Sequence, residues 1–470
     1  MMVTWVSMVL INLFLLGACT VGPDYQAPVI DTPEAFVSQD VLNSLNKGKR
    51  DSALAEDWWT EFSDPILNQL VRTGLQHNYQ VAAALARLKE ADARIVLADA
   101  GDNLRIGAVL DNNLEEERSL NSSGNTTGSV FGALGAVLPL DVFGRFRRGV
   151  EAAEAGARGA QADLRGIVLS TSSEITREYL RLRGNQRQLN LLKESVELQA
   201  KTLSIVRSRY KAGLSPELDL RRAETSVENL RAGIPPLKQA LLNSRNRLAS
   251  LTGRYPGVYE ALLQEHQEIP VYEGKIPELV PVEVLAIRPD IRRSEEALKQ
   301  AVARIGVAEA DYYPTFQLIG QIGIGATGVV GSPTMDILIA SLGTLINQIV
   351  TAGGARGANV AIATAQAEEA LANYQQILRE ASEEVEASLA AINASRARQQ
   401  SLQKAVNASE VSFYQAETLY KQGLISFIDV VDAQRVLANG EQQLAAERTN
   451  YATQIAILFR VLGTKIKMEA

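Results

Sequence analysis

Tyr210-Lys211-Ala212-Gly213-Leu214 and Tyr420-Lys421-Gln422-Gly423-Leu424 are one turn written twice, 210 residues apart in a chain of 470. Each places Gly where a helix ends in a left-handed cap. The same offset joins Leu88 to Leu298, Arg94 to Arg304, Gly144 to Gly354, Glu174 to Glu384, Asp219 to Asp429 and Gly253 to Gly463. Glycines and tyrosines that hold one register over about 165 positions mark a duplication, so the chain reads as two copies of one unit.

Outward from the turns, each unit reads as helix, two strands, long helix, turn and return helix. The approach to the second turn, Arg356 to Tyr420, contains no Pro and a single Gly, Gly357. As one helix of roughly 65 residues it is about 100 Å long. Its later half carries Leu402, Val406, Ser409, Phe413, Ala416 and Tyr420, and the first unit carries Leu192, Val196, Gln199, Leu203, Val206 and Tyr210. The return helices continue the pattern with Leu220, Ala223, Val227 and Leu230, and with Val430, Ala433, Leu437, Gly440 and Leu444. This 3-4 spacing is a coiled-coil seam, and it predicts two helical hairpins whose tips are the two turns. Ile234-Pro235-Pro236-Leu237 must break the first return helix, since proline cannot donate to the helical ladder. The second return helix has no such break.

Between the shorter helices (about Val81 to Ala100 and Ile291 to Ala310) and the long ones, the period changes to two. Strands are predicted over about 102–112 and 128–141, joined by a Ser/Asn/Gly/Thr-rich loop, and over about 314–326 and 337–351. The last of these is apolar on both sides, so its lipid-facing parity is open. Four strands present two edges that hydrocarbon cannot satisfy. Two chains would close eight strands around a lumen filled by side chains, whereas three close twelve around a lumen wide enough for water. The expectation is a mostly α, mixed α and β membrane protein. Its homotrimer forms a 12-stranded β-barrel, four strands per chain, continued by a long α-helical coiled-coil barrel. Phe131, Phe143, Tyr312, Tyr313 and Phe316 near the strand ends suit interfacial belts or ordinary packing equally well.

The N-terminus carries an apolar run, Val6 to Leu15, followed by Leu16-Gly17-Ala18-Cys19. Residues 1–18 read as an export signal, too short for a membrane span of about 20 apolar residues. The small-residue ending resembles a bacterial lipobox, which makes Cys19 the lipidated first residue of the mature chain, bearing S-diacylglycerol and N-palmitate. Each buried CH2 contributes about 0.8 kcal/mol, so several chains make a durable anchor in lipid. Thr20 follows, not the Asp that retains many lipoproteins at the inner membrane. Cys19 is the only cysteine, which excludes an intrachain disulfide and a thiolate zinc cluster.

A net charge of −7 argues against a nucleic-acid partner. Gly323-Ile324-Gly325-Ala326-Thr327-Gly328 spells the dinucleotide fingerprint, but Val329-Val330-Gly331-Ser332-Pro333 follows it, a loop and not the helix the motif needs. His77 and His266 stand alone, with no metalloprotease, Walker or nucleophile-elbow motif in the chain. No enzyme, metal site or cofactor is expected.

Cys19-Thr20-Val21-Gly22-Pro23-Asp24-Tyr25, Trp58-Trp59 with Phe62 and Asp64-Pro65, Pro139-Leu140-Asp141-Val142-Phe143-Gly144-Arg145, Arg288-Pro289-Asp290-Ile291 and Tyr312-Tyr313-Pro314 together resemble the TolC-like outer membrane factors, in their NodT-like efflux lipoprotein branch. The turns and Ile234-Pro235-Pro236-Leu237 fit as well. The resemblance spans nearly the whole mature chain: an extended lipidated segment (19–66), a first repeat (67–253), a linker (254–276), a second repeat (277–463) and a tail (464–470). It implies a passive trimeric duct in the outer membrane of a Gram-negative bacterium, reaching into the periplasm. Such a duct docks onto a periplasmic adaptor and an inner-membrane pump and passes drugs or other small molecules, a route to multidrug resistance. The alternative is a duct of the same build serving type I protein secretion, and a poreless coiled-coil lipoprotein would lack the strands.

In such relatives a bulky apolar residue and an acid four positions later narrow the periplasmic aperture. The matching positions are Ile428 and Asp432, with Leu218 and Arg222 as their counterparts at the 210 offset. Arg222 is suited to pair with Asp432 or Asp429. The tips supply the expected adaptor contacts: Arg209, Tyr210, Gly213 and Leu214 in the first, Tyr420, Gly423 and Leu424 in the second.

Overall fold

A computed structural model describes residues 20–29, 35–38, 40, 46, 57–117, 125–276, 281–329, 335–464 and 466. Cys19 and the export signal lie outside them. In chain order the elements are α1 (Pro65–His77), α2 (Tyr79–Asp99), β1 (Arg105–Glu117), β2 (Asn125–Leu140), α3 (Arg145–Lys211), α4 (Glu217–Ala232), α5 (Ile234–Leu251), α6 (Pro281–Ile287), α7 (Pro289–Ala310), β3 (Thr315–Val329), β4 (Met335–Asn347), α8 (Ala355–Lys421) and α9 (Phe427–Leu462). A 3-10 turn, Trp58–Phe62, precedes α1. Both long helices, α3 and α8, have 67 residues. Among the described residues no helix is long and apolar enough to cross a membrane.

The chain divides into two compact units. The first, built from residues up to Val29 with Arg87–Gln161 and Arg293–Gln375, holds an antiparallel sheet in the order β1-β2-β3-β4. Its register settles the parity that alternation left open. Leu110 lies opposite Gly132, Gly132 opposite Ile324, and Ile324 opposite Leu338. Directly opposed residues share a face, so Leu338, Leu342 and Ile346 stand on the face of Leu110, Leu134 and Ile322. The other face carries Asp111, Ser129, Gln321, Thr327 and Ser341. The stretch expected as loop over 112–128 is largely ladder, pairing as far as Glu117 with Asn125. The dinucleotide look-alike is strand: a Cβ on Gly323 or Gly325 would come within 2.7 or 2.8 Å of the Phe131 ring. Those glycines make room for an aromatic side chain, which places Phe131 among the packing residues. Phe143 stacks on Tyr313 with ring centroids 4.5 Å apart. In the same unit Arg148 donates to the carbonyls of Val21 and Gly22 and pairs with Asp24 at 2.8 Å, pinning the segment that follows Cys19.

The second unit comprises Ile30–Ala86, Ala162–Arg292 and Gln376–Ala470. Its main core gathers Trp58, Trp59, Phe62, Tyr179, Leu248, Tyr272 and Phe459, with Trp58 stacked on Phe459 at 5.0 Å. A separate apolar cluster follows the predicted seam: Val206, Leu220, Ala223, Val406, Phe413, Tyr420, Val430, Leu437 and Leu444. The first return helix breaks between α4 and α5 at Gly233, with prolines in the opening turn of α5, where their missing N–H groups cost least. Its counterpart α9 runs unbroken for 36 residues.

Candidate functional site

The two turns close in the same way. Gly213 and Gly423 have φ of +72° and +79°, left-handed backbone that glycine alone adopts freely. Leu214 N–H donates to the Arg209 carbonyl at 2.9 Å, and Leu424 N–H to that of Leu419 at 3.0 Å. These bonds spanning five residues satisfy carbonyls that α3 and α8 would otherwise leave unpaired. The return helices open differently: α4 has Pro216 at its N-cap and no side-chain cap, and Ser215 Oγ donates to Asp219 Oδ2 at 3.0 Å. Asp429 accepts from Ser426 N–H at 3.0 Å and from its Oγ at 2.8 Å, closing a capping box. Asp429 is thereby committed to its own helix.

The turns push apolar side chains outward. Leu214 and Leu424 are 69% and 67% exposed, and Tyr210, Leu218, Leu419 and Ile428 are also open to solvent. Six apolar or aromatic side chains are thus exposed at or near the two turns. The second tip differs from the first in its tyrosine. Tyr420 is buried beneath Arg209, whose guanidinium lies 4.9 Å from the ring centroid, whereas Tyr210 is exposed. Burial raises the Tyr420 phenol above its ordinary value, and among the described residues neither its Oη nor Arg209 Nε has a hydrogen-bond partner.

Of the expected aperture residues, Ile428 and Arg222 line one open cleft, while Leu218 and Asp432 do not. Asp432 pairs within its helix with Arg435 at 3.1 Å, both side chains exposed, so the pair adds little stability. Within one chain Arg222 reaches neither Asp432 nor Asp429. Sequence reasoning passed over Gln434, which is buried on α9 beside the seam. An amide in an otherwise apolar helical face was the one available signal. Among the described residues no cluster of His, Cys, Asp or Glu could hold a metal ion.

The outer membrane efflux protein family matches residues 70–254 and 280–464, two spans whose starts are 210 residues apart, as are the two turns. Nodulation protein T of Rhizobium leguminosarum bv. trifolii is 28% identical over 455 residues, covering 96% of this chain and 95% of that protein. The cation efflux system protein CusC of Escherichia coli (strain K12) is 27% identical over 462 residues, covering 95% and 96%. Among solved structures, the outer-membrane channel OprN matches with a TM-score of 0.86 at 29% identity, over 95% of this chain and 99% of its own.

Proposed function

The chain belongs to the outer membrane efflux protein family, and from that membership we propose that it works as a homotrimeric duct, the last of three parts in an efflux system. Efflux channels of this family sit in the outer membrane and extend into the periplasm, and they catalyse no reaction. The observation that carries the proposal is the sheet. β1 and β4 each keep one edge with no partner strand among the described residues, and the face of Leu110, Leu134, Ile322 and Leu338 is apolar over the middle of the sheet. In hydrocarbon those edges must pair with sister chains, and three chains make a water-wide barrel of twelve strands.

The exposed apolar tips are the surface offered to a periplasmic adaptor, which links the duct to an inner-membrane pump. Three copies of Ile428 form an apolar constriction and three of Asp432 an acidic ring that favours cations at the entrance. Cys19 carries the lipid anchor, S-diacylglycerol with N-palmitate, and the pump selects the drugs or other small molecules that pass. The test is a deletion strain complemented by this chain. Restored drug resistance, an outer-membrane location and a heat-modifiable trimer that conducts in planar bilayers are expected. A stable monomer without conductance overturns the proposal.

A further inference from the structure

In the first unit α3 lies along α7. Gln300 Nε2 donates to the Ala152 carbonyl at 3.0 Å, and a Cβ on Gly156 would meet that amide nitrogen at 2.7 Å. Further along, Arg148 is buried beside Gly306, where a Cβ would stand 2.9 Å from the arginine Cγ and 2.9 Å from the Val21 carbonyl oxygen. Position 306 must be glycine because the pinned Val21-Gly22 segment runs through this groove. The 210-residue offset carries α3 onto α8 and α7 onto α2, so the α3/α7 seam has an image made by α8 and α2. Ala152 and Gly156 become Ile362 and Gln366, Gln300 becomes Glu90, Arg148 becomes Ala358, and Gly306 becomes Val96. Where the first seam is closed, its image is open to solvent. Val96 is 70% exposed and Ile362 57% exposed, and Ala358, Gln366 and Glu90 are exposed as well.

We propose that the exposed face of α2 packs on α8 of a sister chain in the way that α7 packs on α3 within one chain. The strands fix the partner. α2 leads into the edge strand β1, and α8 follows the opposite edge strand β4. Joining β4 of one chain to β1 of the next therefore brings that next chain's α2 alongside α8. The proposal rests on the homotrimer reading and adds the residues of its helical joint. The substitutions between the two seams suit a joint that holds no extended segment. Val96 fills with its own side chain the room that Gly306 leaves for Val21 and Gly22, and Ala358 lacks the guanidinium that holds them. Gln366 brings an N–H to the Glu90 carboxylate, in place of the Gln300 amide that the first seam aims at a carbonyl. Covering Val96 and Ile362 in each of three joints removes from water the apolar surface that one chain leaves open.

The test is a disulfide in the full chain carrying Val96→Cys together with Ala358→Cys. At the counterpart positions Arg148 Cγ lies 2.9 Å from a Cβ on Gly306, which leaves the two Cβ positions within the roughly 3.5–4.5 Å that a disulfide spans. After mild oxidation of the detergent-solubilised protein, a denaturing gel without reductant should show chains linked in twos and threes. Neither single variant should do so, and a ladder of equal yield in either one overturns the pairing. Val96→Asp reads the same joint without thiols. On an exposed surface that change is nearly neutral, whereas in the joint it buries a charge. The trimer band should then be lost at a lower temperature while the helical circular dichroism of the chain is kept. A trimer whose double variant forms no disulfide between chains, or whose heat stability is unmoved by Val96→Asp, overturns the joint and leaves the duct reading intact. A chain that stays monomeric refutes both.

Discussion

Tyr179→Phe removes one oxygen atom and should cost the second unit about 3 kcal/mol. The phenol is fully buried. It donates to Asp64 Oδ2 at 2.5 Å and accepts from Arg183 Nε at 2.9 Å. Arg183, itself without exposure, spends its other donors on Gln186, the Glu265 carbonyl and Gln267, each at 2.8 Å. The other oxygen of Asp64 caps α1 through the N–H groups of Ile66 and Leu67. One hydroxyl therefore joins the start of α1, the middle of α3 and the 263–267 segment. Burial first, and the Asp64 carboxylate second, push the phenol above its ordinary value, so it stays a donor at any working pH. Bonds to charged groups contribute about 1.5–3 kcal/mol each. Phe keeps the ring and its stacking against Arg183, so no cavity term adds to the loss. Tyr259→Phe is the control: its hydroxyl donates to neutral Thr252 Oγ1 at 2.9 Å, a bond worth about 1 kcal/mol. Urea unfolding followed by tryptophan fluorescence reads both, since Trp58 and Trp59 lie in the same core as Tyr179. A midpoint shift for Tyr179→Phe no larger than for Tyr259→Phe refutes the relay.

Three further outcomes are expected. Ile428→Ala combined with Asp432→Ala should raise the resting conductance in planar bilayers, and an unchanged conductance removes both residues from the aperture. Cysteines at Ala212 and Gln422 should cross-link to the cognate adaptor, and failure at both positions argues against docking at the tips. Burial, with Glu194 and Glu410 adding to it against Arg187, raises the Glu441 carboxyl. A raised acid opposes folding once the pH passes its unfolded value of about 4.3. Glu441→Gln should therefore raise the thermal midpoint at neutral pH and bring no gain near pH 4; equal midpoints at neutral pH contradict the assignment.

The parts legible in the sequence were those written locally. The glycine of each turn, the 3-4 seams and the Pro235-Pro236 break depend on neighbours within one or two helical turns, and all three stand where the residues put them. Strand ends were not legible. Asn112 to Glu117 is polar and reads as loop, but it is held in the ladder by partners from Asn125 to Val130, and no local pattern encodes a partner. The parity of β4 had the same cause: an apolar run on both sides takes its facing from β3. Arg222 is suited by sequence to Asp432 or Asp429, and within one chain Asp432 lies against Arg435, three residues on along its own helix. Gln434 escaped notice because a seam is sought by its apolar members.

The repeat makes its own departures informative. At the 210 offset, Gly233-Ile234-Pro235-Pro236 corresponds to Gln443-Leu444-Ala445-Ala446. In α9 those positions are ordinary helix, with Leu444 and Ala445 buried. In the first repeat they end one helix and begin another, and a Cβ at Gly233 would stand 3.0 Å from Leu192 Cδ2, so the break also brings the backbone against α3. Leu192 and Gly233 both line the cleft that Ile428 and Arg222 also line. Any side chain at position 233 would crowd Leu192, so the close approach of this backbone to α3 depends on the glycine. The tips diverge in the same sense, with Tyr420 covered by Arg209 and Tyr210 left open. Duplication supplied two similar hairpins, and the helix break at Gly233 and the covering of Tyr420 by Arg209 are two places where they became unequal.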